Sequence, residues 1–172
     1  MVFRVFAAAI VALLLFQAIT WALTDKQPVQ AAADHSVNLI PIASKDEVLA
    51  LVRDGKRVVF VDAREAPEFE EEHIPGAINL PLRDINQLTP DVIKDANLVV
   101  GYCLKDFRGY EVAKALAHVG VKNVVTLEKP GINGWKAYGL PIYKQGETEA
   151  AAVAQLKACA EQGGQCAAAN GG

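Results

Sequence analysis

Cys103 and Arg108 stand five positions apart. The run that leads into them, Leu98-Val-Val-Gly-Tyr-Cys103, reads as a strand. Past the loop, Val112, Ala115, Leu116 and Val119 recur at helical spacing over residues 110–119, and Gly120 falls where a helix-ending glycine belongs. Such a strand–loop–helix joint aims backbone N–H groups and the positive helix end at whatever occupies the loop. A sulfur held there is favoured as thiolate and becomes a nucleophile, with Arg108 adding a fixed positive charge. The plainer alternative is a buried cysteine closing a core strand, because free cysteine behaves as a small hydrophobe. A second apolar run, residues 58–61, ends in Asp62-Ala63-Arg64. Two strand ends therefore carry polar chemistry, and together they describe an anion site beside a reactive thiol.

A scaffold must bring those ends together. Ser44-Lys-Asp-Glu47 matches a capping box, and Val48, Leu51 and Val52 form the apolar stripe of a short helix closed by Asp54-Gly55. Residues 37–42 and 124–127 read as strands, and 77–80 as a shorter one ended by Pro81. Residues 65–72 make a helical turn or two with Pro67 in the first turn, and Thr89-Pro90 starts another small helix. Gly131 to Trp135 opens a last one. Short apolar strands alternating with helices predict an α/β fold, a small, mainly parallel sheet flanked by helices. Sheets of that kind hold ligands at the carboxyl ends of their strands.

Composition narrows the function classes. The 172 residues are 52% apolar with a net charge of −3, enough for one domain with a real core. No basic run stands out, which argues against a nucleic-acid partner. Three cysteines are too few for a disulfide scaffold. His35 and His118 share no spacing with each other or with a carboxylate, so no metal site and no cofactor are expected in the body.

Residues 5–23 are nineteen positions without a charge, with only Gln17 and Thr20 polar. At about 1.5 Å per residue that run just crosses a hydrocarbon core of about 30 Å. Trp21 sits where an interfacial aromatic belongs. The competing reading is a cleaved signal peptide ending near Ala31-Ala32-Ala33, but the run exceeds the usual ~7–15 residues of a signal core. The expected organisation is a transmembrane anchor (or signal peptide) over 1–24, a linker over 25–36, the body over 37–145 and an alanine-rich tail over 146–172. Arg4 before the span leaves the amino terminus in the cytoplasm and the body outside. That predicts a bacterial inner-membrane protein with a periplasmic domain, and the tail pair Cys159/Cys166 suits an oxidising compartment.

Four pieces in order resemble the rhodanese family of sulfurtransferases: Val59-Phe-Val-Asp62-Ala-Arg64; Glu68-Phe69 through His73-Ile-Pro-Gly76-Ala77; Tyr102-Cys103 with Arg108; and Gly131, Gly134, Trp135 with Gly139-Leu-Pro-Ile142. The resemblance covers about residues 38–143. It implies a single rhodanese-like domain and a double displacement, in which Cys103 takes a sulfur from a small donor as a persulfide and passes it to a thiol, protein or cyanide acceptor. It further implies that the amides of Leu104, Lys105, Asp106, Phe107, Arg108 and Gly109 cradle the anionic persulfide. Lys105 and Arg64, the latter at the pocket rim, would bind the donor's sulfonate, Asp62 would orient loop or arginine donors, and His73 and Trp135 would be structural. Arg64 could instead simply pair with Glu68 or another acid.

The loop departs from the family pattern. Asp106 stands where relatives often carry glycine, and Gly109 replaces a common Ser or Thr, leaving Lys105, Asp106 and Arg108 to net one positive charge. Thiosulfate binding is weakened accordingly, and a persulfide donor becomes an equal candidate. The rival readings are a non-catalytic sulfur carrier or docking module, and a cysteine-dependent phosphatase or arsenate reductase. The last is disfavoured because related folds use five intervening residues where this chain has four. The tail helix, residues 147–161, has a thin stripe of Val153, Leu156 and Ala160, so light packing or a partner is expected of it. Cys159 and Cys166 are read as a disulfide, ahead of a sulfur relay or a soft-metal pair, and residues 167–172 as disordered.

Overall fold

A parallel strand buried on both faces must be apolar along its length. Apart from Asp62 at one end and Thr126 within, three stretches meet that requirement: β2 (Val58–Asp62), β5 (Leu98–Tyr102) and β6 (Val124–Leu127). With β1 (Ile42–Ala43) and β4 (Ile78–Asn79) at the edges they form a five-stranded parallel sheet in the order β1-β6-β5-β2-β4. Register pairs Asp62 with Tyr102, so β2 and β5 end side by side. The computed structural model describes residues 39–87, 90–105 and 107–166.

Side chains alternate between the two faces of a strand, and each face has its own cover. Val59, Val61 and Val99 meet α4 (Phe107–His118) through Val112, Ala113 and Leu116. A 3-10 turn (Leu82–Gln87) and α3 (Pro90–Ile93) lie on that side, contributing Leu82, Ile85 and Ile93. Phe60, Val100 and Tyr102 project to the other side. There α1 (Lys45–Arg53), α5 (Ile132–Ala137) and α6 (Glu149–Glu161) supply Val48, Leu49, Trp135 and Leu156. Full burial of each such aliphatic side chain is worth roughly 1.5–3 kcal/mol. The Ser44 capping box forms as expected, with the Glu47 carboxylate accepting from the Ser44 N–H at 2.8 Å.

One close approach matters for the site. A Cβ on Gly109 would lie 2.6 Å from the Tyr102 Cα, and one on Gly101 would lie 2.6 Å from the Gly109 carbonyl oxygen. Two glycines facing each other let α4 rest directly on β5. The Ser or Thr expected from family relatives at position 109 has no room here.

The structure redraws several boundaries. The strand expected over 37–42 is Ile42–Ala43, with residues 37 and 38 outside the described residues. The helix expected from Tyr110 begins at Phe107 and stops at His118, which leaves Val119 72% exposed instead of in the apolar stripe. A two-stranded antiparallel ribbon joins β3 (Glu72–His73) to β7 (Tyr143–Lys144), an element the alternating pattern did not announce. The tail is no loose appendage: α6 packs on α1 and buries Ala152, Leu156, Cys159 and Ala160. Cys159 and Cys166 are disulfide-bonded. The apolar run 5–23, the linker 25–36, His35, Thr89, Asp106 and residues 167–172 lie outside the described residues. Among the described residues no helix is long and apolar enough to cross a membrane.

Candidate active site

Cys103 leaves the end of β5, and α4 begins four residues later. Between them the chain is held from one side by the first turn of α5. The Cys103 carbonyl accepts from the Ile132 N–H at 3.0 Å, and the Leu104 carbonyl from the Asn133 N–H at 3.4 Å. Gly131, at φ +61°, makes this contact possible: a Cβ there would stand 2.4 Å from the Cys103 oxygen and 2.7 Å from the Lys105 oxygen. In a trans peptide the C=O and N–H point in opposite directions. Carbonyls pinned towards α5 therefore turn the N–H groups of Leu104 and Lys105 the other way. Among the described residues, no backbone hydrogen bond outside the regular elements uses the N–H of Leu104, Lys105, Phe107 or Arg108. Those donors are available to an anion, and the positive end of α4 reinforces them.

The Cys103 side chain is 4% exposed and packs among the apolar residues on the α4 side of the sheet. The loop around it is open: Leu104 is 36% exposed, Phe107 67%, and Lys105 is exposed as well. Cys159 lies in the core on the opposite face. The sheet thus stands between the thiol and the disulfide. Among the described residues no cluster of His, Cys, Asp and Glu could hold a metal.

The charged residues fall into two pairs. Arg108 is half-buried and makes a fork to Glu68, with Nη1 to Oε2 at 3.0 Å and Nη2 to Oε1 at 3.2 Å. Those bonds are the main reason the Arg108 pKa stands above its ordinary value; burial opposes them, and interactions with the charge of Glu68, with Cys103 and with Asp62 add to the rise. The same bonds hold Glu68 below the usual carboxylate range. Glu68 also accepts from the Glu65 N–H at 3.1 Å, so the first turn of α2 (Ala66–Glu71) aims its carboxylate at Arg108.

Arg64 is not at the rim where it was expected. It is 2% exposed, and Asp62 takes its backbone N–H at 2.9 Å, its Nε at 3.0 Å and its Nη2 at 2.7 Å. Nη2 also donates to the Glu72 carbonyl at 2.6 Å. The cause is position: Asp62 is the last residue of β2 and wholly buried, and the nearest cation two residues on must neutralise it. Burial pulls the Arg64 pKa down, and the bonds to Asp62 with its charge more than reverse that. The arginine that Asp62 holds is Arg64. The Tyr102 phenol completes this group: it accepts from the Ile74 N–H at 3.1 Å, and burial, then the charge of Asp62, push its pKa well up.

His73 and Trp135 tie elements together. The His73 ring stacks between Phe69 and Tyr143, with Nδ1 2.7 Å from the Phe69 carbonyl and Nε2 2.9 Å from Glu149 of α6. Trp135 is 1% exposed and its indole N–H donates to the Pro141 carbonyl at 2.9 Å. Two participants escaped the sequence reading. Glu68 stands in the sequence as a motif residue and a possible partner for Arg64, with nothing that points to Arg108. Gly131 belonged to a recognised motif, but its spacing to Gly134 carries no sign of a contact with a loop some 30 residues earlier.

A family model described as the rhodanese-like domain matches residues 44–138. A protein of Allochromatium vinosum named sulfurtransferase is 34% identical over 106 residues, which cover 62% of this chain and 94% of that one. Arsenate reductase 2.1 of Oryza sativa subsp. japonica is 28% identical over 125 residues, covering 66% and 78% respectively. Among solved structures, a Rhodopseudomonas palustris protein of unknown function, described as a possible tyrosine phosphatase, superposes with a TM-score of 0.53 at 26% identity over 60% of this chain and 85% of that one.

Proposed function

This chain belongs to the rhodanese-like domain family, and on that premise we propose that it is a sulfurtransferase working through a Cys103 persulfide, with thiosulfate or a persulfide as donor and a thiol as acceptor. With thiosulfate, the Cys103 thiolate attacks the outer sulfur. The bond between the two sulfurs of the donor breaks, its electron pair leaves with sulfite, and Cys103 becomes a persulfide anion. An acceptor thiolate then attacks the outer sulfur of that persulfide, taking the sulfur away and restoring the Cys103 thiolate. The negative charge on the carried sulfur is what the loop amides would stabilise. The observation that carries this reading is the pinning of the Cys103 and Leu104 carbonyls by α5, which leaves the opposite, donor side of the loop unspent.

Intact-mass analysis of the purified protein, with and without donor, tests it. The expected result is a gain of one sulfur, mapped to Cys103 and absent from Cys103→Ser, with thiocyanate formed when cyanide is the acceptor. A persulfide that forms but passes to no small acceptor would support the carrier reading instead. The similarity to an arsenate reductase makes arsenate the control substrate; here the Arg108 fork already occupied by Glu68 argues against an arsenate oxyanion in its place. The proposal extends to placement: the uncharged run 5–23 tethers the domain to a membrane, on its periplasmic side. Release by alkaline carbonate would count against that tether.

A further inference from the structure

Resting on the sulfurtransferase reading, we propose that Glu68 sets the choice of donor: it turns the site away from divalent thiosulfate and towards organic persulfides, in which the transferable sulfur is carried on the thiol of a small carbon compound. The sequence offers three cations for a donor's sulfonate, Arg64, Lys105 and Arg108. Arg64 is buried and its guanidinium is occupied by Asp62 and the Glu72 carbonyl. Arg108 presents a fork, and both terminal nitrogens are already bonded to the two oxygens of Glu68. That fork-to-carboxylate geometry is the one a sulfonate would need, so the donor must displace Glu68 or do without the arginine. Lys105 alone is left exposed, and its sequence neighbour Asp106 carries the opposite charge.

The same loop exposes Leu104 and Phe107, apolar surface that a sulfite group cannot use and a carbon body can. Thiosulfate brings two negative charges to this surface in one small ion, whereas the persulfide group of an organic donor brings at most one. The step with such a donor balances without an added reductant. The Cys103 thiolate attacks the outer sulfur of R–S–SH, the bond between the donor's sulfurs breaks, and the thiolate RS⁻ leaves with the electron pair. The proton stays on the transferred sulfur, now bonded to Cys103.

The experiment compares the wild-type protein with Glu68→Gln, using thiosulfate and cysteine persulfide as donors and cyanide as acceptor, at low and high salt. The substituted amide would keep a carbonyl oxygen for the Glu65 N–H while uncovering the charge of Arg108. Wild type is expected to show the higher kcat/KM with cysteine persulfide. In Glu68→Gln the thiosulfate KM is expected to fall about fivefold relative to the persulfide KM, the scale of one exposed ion pair. That gain should shrink as salt screens the freed charge. Equal changes for both donors would reduce Glu68 to a structural support and overturn the inference, as would a wild-type preference for thiosulfate. Should Glu68→Gln fail to fold, the wild-type salt dependence decides: a neutralised site gives a thiosulfate kcat/KM nearly flat with salt, and a steep decline refutes the inference. Absence of sulfur on Cys103 from either donor would instead defeat the sulfurtransferase reading on which the inference rests.

Discussion

Two arginines in this molecule make nearly the same fork to a carboxylate and live in opposite surroundings. The Arg64–Asp62 pair is shut away at the end of β2, with side chains 3% and 0% exposed. The Arg108–Glu68 pair beside the Cys103 loop is 32% and 35% exposed. In the first, neither charge has water to fall back on, so the pair stands or falls as a unit. In the second, solvent shares the load, so losing the pair costs the fold little. Equal hydrogen-bond geometry therefore does not mean equal function: burial decides which arginine builds the scaffold and which can serve chemistry.

The sharpest way to break the comparison is Arg64→Ala. It leaves Asp62 charged and unpaired in the core, and unfolding in urea should show a loss of about 3–5 kcal/mol. A loss under about 1 kcal/mol would mean that the buried pair behaves like an exposed one. Next in size is Cys166→Ala, which opens the short disulfide loop on the face opposite Cys103 and should lower stability by about 2 kcal/mol. Sulfur loading of Cys103 should be unaffected below the melting transition; a matching fall in loading would show the two faces to be coupled. Arg108→Ala inverts that pattern. Its stability change should stay under about 1 kcal/mol, while persulfide formation on Cys103 slows by about tenfold or more as a cation beside the thiolate is lost.

The smallest effect is a pH signature of the open pair. Glu68 is held below its ordinary value of 4.5, first by its bonds to Arg108. A depressed carboxylate stabilises the fold above its unfolded pKa, and that contribution disappears as pH falls through the folded value. The urea midpoints of wild type and Glu68→Gln should therefore differ at neutral pH and converge on acidification below about 4.5. A constant offset down to the acid limit would show that the pair's charge contributes nothing to stability.

Much of the scaffold was legible because it depends on local pattern. The short, largely apolar runs at 58–61, 98–102 and 124–127 read as strands buried on both faces, and they form the centre of the sheet. The Ser44 capping box reads from four adjacent residues and forms as read. Legibility ended where partners are distant in sequence. Glu68 and Arg108 are 40 residues apart, and nothing local distinguishes that pairing from Glu68 with Arg64. α6 looked thinly apolar because its buried side chains are mostly small; alanines allow it to sit close to the core, and His73 is bonded to Glu149 in its first turn. Val119 fits a helical stripe by spacing, but the helix stops at His118, before the stripe can bury it.

The sequence alone determined the alternation of strands and helices, the placing of Cys103 after a core strand and the family to which these motifs point, since each depends on residues that are neighbours along the chain. Only the tertiary structure decided which way the peptides of the Cys103 loop face and which carboxylate Arg108 meets. Those choices depend on α5 and α2, which approach the loop through space. A carbonyl turns towards the donor that folding brings to it, and a charge pairs with whichever counter-charge shares its burial.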